Sequence, residues 1–213
     1  MADHEEKYDA KYSNLTTKEL IPSFWLSQIL IFVPGFLLLW LLFLRQGYTL
    51  SAFFTLDRPL GIWMGGTLVA ILGIGLQWGA WKVFSLNAFD DGGINRLLLT
   101  LPMRTLIPMF LFGAFSEELL VRGVLQTGTV SLIGSISGVL LTSFIFTGMH
   151  IRYLKKPVLM SGVFLISLVL GSLYVLTGTL WASVWAHFLY NSGSSLLAKK
   201  FYLPLFQAGV QDQ

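Results

Sequence analysis

The sequence contains no cysteine, which excludes disulfide bonds, thiol nucleophiles and thiolate metal ligands. Charged side chains are also scarce: they make up 12% of the 213 residues, whereas soluble domains carry about 25%. No run of Lys or Arg exceeds two residues, so the basic footprint of a nucleic-acid-binding protein is missing and we expect no nucleic-acid partner. These shortages indicate an integral membrane protein.

Apolar residues dominate what is present: they form 54% of the chain, and the mean hydropathy is +0.70. Runs of about 20 apolar residues are long enough to cross a bilayer, where long apolar segments of this kind are helices. The sequence therefore predicts an all-α, polytopic integral membrane protein with a transmembrane domain over 24–198, a polar N-terminal tail over 1–23 and a C-terminal tail over 199–213. Its six predicted spans are 24–44, 61–81, 105–125, 130–150, 158–177 and 180–198.

The basic residues predict the orientation, because Lys and Arg concentrate in cytoplasmic loops. If the N-terminus is cytoplasmic, only Arg45 and Arg58 fall in the outer loops. Eleven basic residues then lie on the inner side: Lys7, Lys11, Lys18, Lys82, Arg96, Arg104, Arg152, Lys155, Lys156, Lys199 and Lys200. We therefore predict that both termini are cytoplasmic. The segment before the first span is acid-rich rather than basic, and the span 24–44 is longer than the apolar core of a secretory signal, so we expect a retained anchor in contact with the lipid bilayer.

Ionisable side chains are rare within the spans, and such residues mark functional sites because charge is costly in a bilayer. Glu118 and Arg122 are four residues apart, so they can form an ion pair on one helix face. Glu117 points about 100° away and has no local cation. A carboxylate without a partner in a low-dielectric environment suits a general base.

Two further polar pairs have the spacing of one helical turn: Phe146 with His150, and His187 with Asn191. Each pair alone is compatible with an interfacial side chain or a hydrogen bond between helices. At about 1.5 Å per residue, however, the two histidines, Asn191 and Glu117 fall at similar depths below the cytoplasmic boundary. The shared depth predicts one site built from three helices.

The residue patterns that zinc, aspartyl and serine proteases require are missing from this sequence. There is no His-Glu-x-x-His helix for zinc. Asp57, Asp90 and Asp91 all fall in predicted loops, so no intramembrane aspartate dyad is available. No histidine follows Ser194 and Ser195 to act as the base of a serine protease.

The motifs Glu117-Glu118-x-x-x-Arg122, Phe146-x-x-x-His150 and His187-x-x-x-Asn191 resemble, in this order, those of the CAAX-protease and bacteriocin-processing family, also called CPBP or Abi. The resemblance covers residues 105–198 and extends to the type II CAAX prenyl endopeptidases. It implies an α-helical intramembrane endopeptidase that acts on a peptide or protein substrate at the membrane. We expect it in the bacterial plasma membrane, with its site opening toward the cytoplasm.

The resemblance also implies roles for individual residues. Glu117 and His150 would activate a water molecule, and His187 with Asn191 would stabilise the oxyanion. Supporting positions would be Glu118, Arg122 and Phe146. No cofactor is expected in this scheme; in the alternative scheme zinc would be bound by Glu117, His150 and His187, with water as the fourth ligand.

Two other function classes remain open on the sequence. The family includes bacteriocin self-immunity proteins, so a non-proteolytic immunity or membrane partner protein on the same scaffold is the main alternative. A small proton-coupled transporter would also use ionisable groups inside the membrane, but the six predicted spans show no evident inverted repeat.

Overall fold

The computed structural model describes residues 16–207, apart from the side chains of Leu86, Phe206 and Gln207. Within this range every regular element is a helix and none is a strand, which confirms the predicted all-α class. The α-helices are α1 (Thr17–Leu42), α2 (Ser51–Phe54), α3 (Gly66–Val83), α4 (Ile94–Thr100), α5 (Met103–Glu118), α6 (Thr127–Ile133), α7 (Ser135–Met149), α8 (Pro157–Thr177), α9 (Leu180–Leu197) and α10 (Leu203–Gln207).

Shorter helical turns extend or connect these helices. Three π-helical segments lie at Leu60–Gly65, Leu119–Gln126 and Ala198–Tyr202, and three 3₁₀ turns lie at Leu44–Gln46, Leu86–Phe89 and Ile151–Tyr153.

Three helical segments between residues 16 and 207 are long and apolar enough to cross a membrane: Thr17–Gln46, Leu60–Val83 and Pro157–Thr177. Helix α7 is apolar but shorter. The remaining two predicted spans coincide with α5 and α9, the helices that carry the charged and polar motif residues. The count of six spans and the orientation of the termini stay predictions.

Helix α1 begins before the predicted span. Thr16 and Glu19 form a capping box, in which the Thr16 backbone N–H donates to Glu19 Oε2 at 2.9 Å. The last part of the predicted tail 1–23 is therefore helical, whereas residues 1–15 lie outside the described range. At the other end, helical structure continues from the predicted tail start at 199 to residue 207.

The predicted boundary between the third and fourth spans, at residues 125–130, is wrong. Helix α5, the π segment Leu119–Gln126 and α6 run without interruption to Ile133. Polar residues in this stretch are compatible with the bundle interior, since the buried Gln126 Nε2 donates to the Gly171 carbonyl at 2.8 Å. The chain turns at Gly134, whose φ of +82° lies in a region that favours glycine.

Helix α9 is the centre of the bundle, in contact with α3, α5 and α8. Its approach to α3 is close: a Cβ atom on Gly66 would lie 3.0 Å from the Ala182 carbonyl oxygen. Helix α1 packs against α5 and the π segment that follows it, while α7 packs against α6 and α8. Polar residues on α9 and at the end of α5 therefore face the interior of the bundle.

Candidate active site

The core of the candidate site is a buried ion pair where α5 passes into the π segment. Glu118 Oε2 lies 3.2 Å from Arg122 Nε, and both side chains have 0% exposure. The pair predicted from the four-residue spacing is therefore present. A π-helical turn at this position is notable because such turns occur frequently at functional sites.

Arg122 connects three helices. Its Nη2 donates to the carbonyl oxygen and hydroxyl of Ser167 on α8, at 3.0 and 3.1 Å. Its guanidinium carbon lies 5.2 Å from the ring centroid of Phe146 on α7, a cation–π distance. These contacts hold the guanidinium beside Glu118 and leave it no access to solvent.

Glu118 also binds a histidine. His187 Nδ1 on α9 lies 2.9 Å from Glu118 Oε1, so the carboxylate receives Arg122 on one oxygen and His187 on the other. Because a carboxylate only accepts hydrogen bonds, Nδ1 carries the proton. The buried carboxylate thereby sets the orientation of the imidazole.

Glu117 has different surroundings. Its side chain is 20% exposed, and its Oε2 lies 4.0 Å from His187 Nε2. No Lys or Arg among residues 16–207 is within ion-pair distance of it. His187 thus lies between the two carboxylates, with one ring nitrogen toward each.

Sequence reasoning missed Gln28 on α1, which is 6% exposed. Gln28 Nε2 donates to Glu117 Oε1 at 3.5 Å, while its Oε1 accepts a short hydrogen bond from Ser116 Oγ. The hydroxyl therefore fixes which end of the amide faces Glu117. The sequence feature that could have identified Gln28 is that it is an amide side chain inside the apolar run 24–44. A polar group within a membrane span needs a partner.

His150 caps the C-terminal end of α7. Its Nδ1 lies 2.9 Å from the carbonyl oxygen of Phe146 and must donate to it, so in the neutral ring Nε2 is an acceptor. Phe146 contacts both histidine rings, with centroid distances of 4.7 Å to His150 and 6.3 Å to His187. The structure therefore brings the two histidines to the same aromatic ring.

A network outside the spans supports His150. The Tyr153 ring stacks on His150 at a centroid distance of 5.7 Å, and Asn95 Nδ2 on α4 donates to Tyr153 Oη at 3.3 Å. Asp91 accepts from the Asn95 backbone N–H at 2.9 Å and lies 3.5 Å from Arg152. Burial raises the pKa of Asp91, although Asn95 and Arg152 favour its charged form.

Asn191 lies one turn after His187 on α9 and is partly buried. In the described range its side-chain amide makes no hydrogen bond to another residue, so both amide hydrogens are available.

The arrangement does not fit the alternative zinc site as it stands. No group of three or more His, Cys, Asp or Glu side chains within residues 16–207 is arranged to hold a metal ion. Two of the three prospective ligands, Glu117 and His187, are neighbours at 4.0 Å, whereas His150 is not within 4.0 Å of either carboxylate of the Glu117–Glu118 pair.

Comparison with known proteins gives a match to one family model and a bacterial relative. The sequence model described as type II CAAX prenyl endopeptidase Rce1-like matches residues 99–193, which include all three motifs. The uncharacterized protein YpbD of Bacillus subtilis (strain 168) is 36% identical over 135 residues, which cover 62% of this chain and 65% of that protein. No solved structure matches the chain.

Proposed function

We propose that the protein is an intramembrane endopeptidase cleaving a peptide or protein at the membrane, because residues 99–193 match the model of the Rce1-like type II CAAX prenyl endopeptidases. The matching relative is from a bacterium, and the proposal locates the protein in a bacterial plasma membrane. In this proposal the chain spans the membrane six times and its site opens toward the cytoplasm.

One observation carries the proposal: two adjacent carboxylates flank the same imidazole, and only one of them is accessible. Glu118 is buried and paired with Arg122, whereas Glu117 is partly exposed and has no strong cationic partner. A hydrolytic site needs one carboxylate that can exchange a proton with water and a rigid framework that positions the other groups. Glu117 and Glu118 match these two requirements.

In the proposed reaction Glu117 takes a proton from a water molecule, and the resulting hydroxide attacks the carbonyl carbon of the scissile amide. His150 Nε2, left as an acceptor by the bond from Nδ1 to Phe146, receives the second hydrogen of that water as a hydrogen bond. The carbonyl oxygen becomes an oxyanion. Glu117 then gives its proton to the departing nitrogen, so the C–N bond breaks to yield a carboxylic acid and an amine.

The oxyanion needs hydrogen-bond donors that are already in place. The Asn191 amide supplies one. In its doubly protonated form His187 donates from Nδ1 to Glu118 and from Nε2 to the oxyanion, and the two neighbouring carboxylates stabilise this form. His187 Nε2 and Glu117 Oε2 are 4.0 Å apart. At this separation Glu117 can deprotonate the water that attacks a carbonyl carbon while His187 donates to the oxygen of the same carbonyl group.

The test is comparative membrane proteomics of cells that carry wild type or Glu117→Ala, with equal amounts of folded protein verified by immunoblot. We expect at least one membrane-associated substrate to lose its cleaved form in the variant. A phenotype such as bacteriocin resistance that survives Glu117→Ala, without any change in cleaved peptides, would instead support the immunity alternative.

Metal dependence is tested on purified protein with a cleaved peptide from that screen. In the metal-free scheme chelators leave cleavage unchanged, and His187→Ala or Asn191→Ala each lowers turnover by about 10²–10³-fold. Stoichiometric zinc in wild type, lost together with activity in His187→Ala, would contradict this scheme.

A further inference from the structure

The orientation of the His150 imidazole also depends on a contact outside the three motifs. The bond from Nδ1 to the Phe146 carbonyl restrains one ring nitrogen, but the last side-chain torsion of histidine has only a broad preference and does not set the plane of the ring. The lone pair with which Nε2 accepts a hydrogen bond lies in that plane. Whatever sets the plane therefore sets the direction in which Nε2 accepts.

Tyr153 provides this contact. The chain leaves α7 through the 3₁₀ turn Ile151–Tyr153, and the Tyr153 backbone N–H donates to the His150 carbonyl at 2.8 Å. Side chains three residues apart in a 3₁₀ turn eclipse each other, so the Tyr153 and His150 rings stack with an interplanar angle of 26°. Phe146 meets the imidazole at 63°. The imidazole thus contacts one nearly parallel ring and one steeply inclined ring, and rotation of its plane disturbs both contacts.

The Tyr153 ring is itself restrained from another helix. Asn95 on α4 donates from Nδ2 to Tyr153 Oη at 3.3 Å. The accepting oxygen lies at the far end of the phenol, where a swing of the side chain would displace it most. A chain of contacts therefore runs from α4 through Tyr153 to the imidazole of His150.

Helix α4 is a fixed support for Asn95. The Asp91 carboxylate accepts from the Asn95 backbone N–H at 2.9 Å, and Asp91 also lies 3.5 Å from Arg152, in the same turn as Tyr153. Ile94 and Leu99, on the two sides of Asn95 in the sequence, are buried in the core. The backbone that carries Asn95 is therefore tied both to the interior of the bundle and to the turn that carries Tyr153.

We propose that Asn95 and Tyr153 are positioning residues that set the plane of the His150 imidazole and thereby the direction in which Nε2 accepts. The consequence for catalysis, an Nε2 aimed at the attacking water, rests on the proposed peptidase function. Neither residue belongs to the three motifs, and Asn95 precedes residues 99–193, which match the family model. The segment before the matched region therefore contributes to the geometry of the site.

The kinetic experiment uses the purified full chain and a peptide that spans a cleavage site found in the proteomic comparison. Tyr153→Leu removes the stacked ring, so kcat should fall by about 10²-fold, whereas KM should stay within about twofold of wild type because substrate binding is unchanged. Tyr153→Phe keeps the ring and should recover about tenfold of that loss.

A double-variant cycle tests whether the two residues act together. Asn95→Leu and Tyr153→Phe remove the same hydrogen bond, so each should lower kcat by about tenfold and the double variant should lower it no further. Losses that multiply in the double variant would overturn the joint action. Tyr48→Phe is the matched control, because it deletes the hydroxyl of a tyrosine that is 50% exposed and stacks on Phe43 and Phe53; it should leave kcat unchanged.

A second readout does not depend on cleavage. The chain has three histidines, so nitrogen NMR of isotope-labelled protein, with His150→Asn for assignment, reports which ring nitrogen of His150 carries the proton. In wild type this should be Nδ1, since it donates to the Phe146 carbonyl. Tyr153→Leu frees the ring and should populate the form protonated at Nε2.

The two readouts separate failure of the positioning role from failure of the proposed function. If wild type cleaves the peptide and Tyr153→Leu keeps its kcat, or if His150 stays protonated only at Nδ1 in Tyr153→Leu, the positioning role is overturned. If wild type cleaves no peptide while Tyr153→Leu changes the protonated nitrogen, the proposed function fails and the action of Tyr153 on the His150 ring stands.

Discussion

Glu117 and Glu118 are neighbours in the chain and occupy contrasting environments. Glu118 has 0% exposure and binds Arg122 and His187, whereas Glu117 is 20% exposed and has only longer contacts, at 3.5 Å to Gln28 and 4.0 Å to His187. Consecutive helical residues point about 100° apart, so one faces the interior and the other faces the accessible side. Adjacent identical side chains can therefore serve separately as framework and as reactive group.

The largest expected effect is the loss of turnover when Glu117, the partly exposed carboxylate of the pair, is replaced. Glu117→Gln keeps the shape of the side chain but cannot take up a proton, so cleavage should fall by about 10²–10⁴-fold. The free energy of unfolding in detergent should change by less than about 1 kcal/mol, because no strong partner is lost. An active Glu117→Gln together with a stable, inactive Glu118→Gln would mean that the two roles are reversed.

The buried member should instead determine stability. Glu118→Gln leaves the Arg122 guanidinium buried without its counter-charge, at a cost of about 3–5 kcal/mol. Thermal unfolding of the purified protein measures this loss. The matched control is Glu118→Gln with Arg122→Met, which removes both charges and should recover part of the stability; a double variant less stable than the single one would contradict the ion-pair explanation.

Gln28 sharpens the comparison because it contacts only the exposed carboxylate. Gln28→Leu should lower kcat by about tenfold with KM unchanged, since Glu117 loses the donor that orients it. Ser116 keeps its 3.0 Å bond to the Gly113 carbonyl, so little stability should be lost.

A second substitution, Gln28→Glu, tests whether Gln28 acts on Glu117 electrostatically or only fills space between α1 and α5. Gln28→Glu places a second carboxylate beside Glu117, and two carboxylates sharing a site resist ionising together. Activity should then require a higher pH than in wild type. A pH profile that does not move would indicate that Gln28 only fills space.

The smallest effect is expected at Asp91, a buried carboxylate outside the spans. Burial raises its pKa, so the folded protein binds the proton more tightly than the unfolded chain, and the stability contributed by this group falls as pH rises through the raised pKa. Asp91→Asn should flatten this pH dependence of the melting temperature and leave turnover near wild type. A large loss of turnover in Asp91→Asn would contradict this expectation and would mean that Asp91 contributes to the reaction.

The sequence was informative where spacing within one helix determines contact. Four-residue spacing identified the Glu118–Arg122 pair, and the motif order brought His187 to the same site. Gln28 could not be placed, because its partner lies 89 residues away and nothing local links α1 to α5. The helical boundary at Gly134 was also missed, since Gln126 has a distant backbone partner on α8 that makes a polar residue compatible with the bundle interior.

The separation between Gln28 and Glu117 has a consequence for biogenesis. Helix α1 is synthesised first, and 89 residues pass before its carboxylate partner is made. During that interval the Gln28 amide has to be tolerated in the newly inserted helix without Glu117 or Ser116, and a polar group in lipid without a partner is costly. Early packing of α5 against α1 removes this cost, so the contact between Gln28 and Glu117 also favours the assembly of these two helices, and it forms only after α5 has been delivered to the membrane.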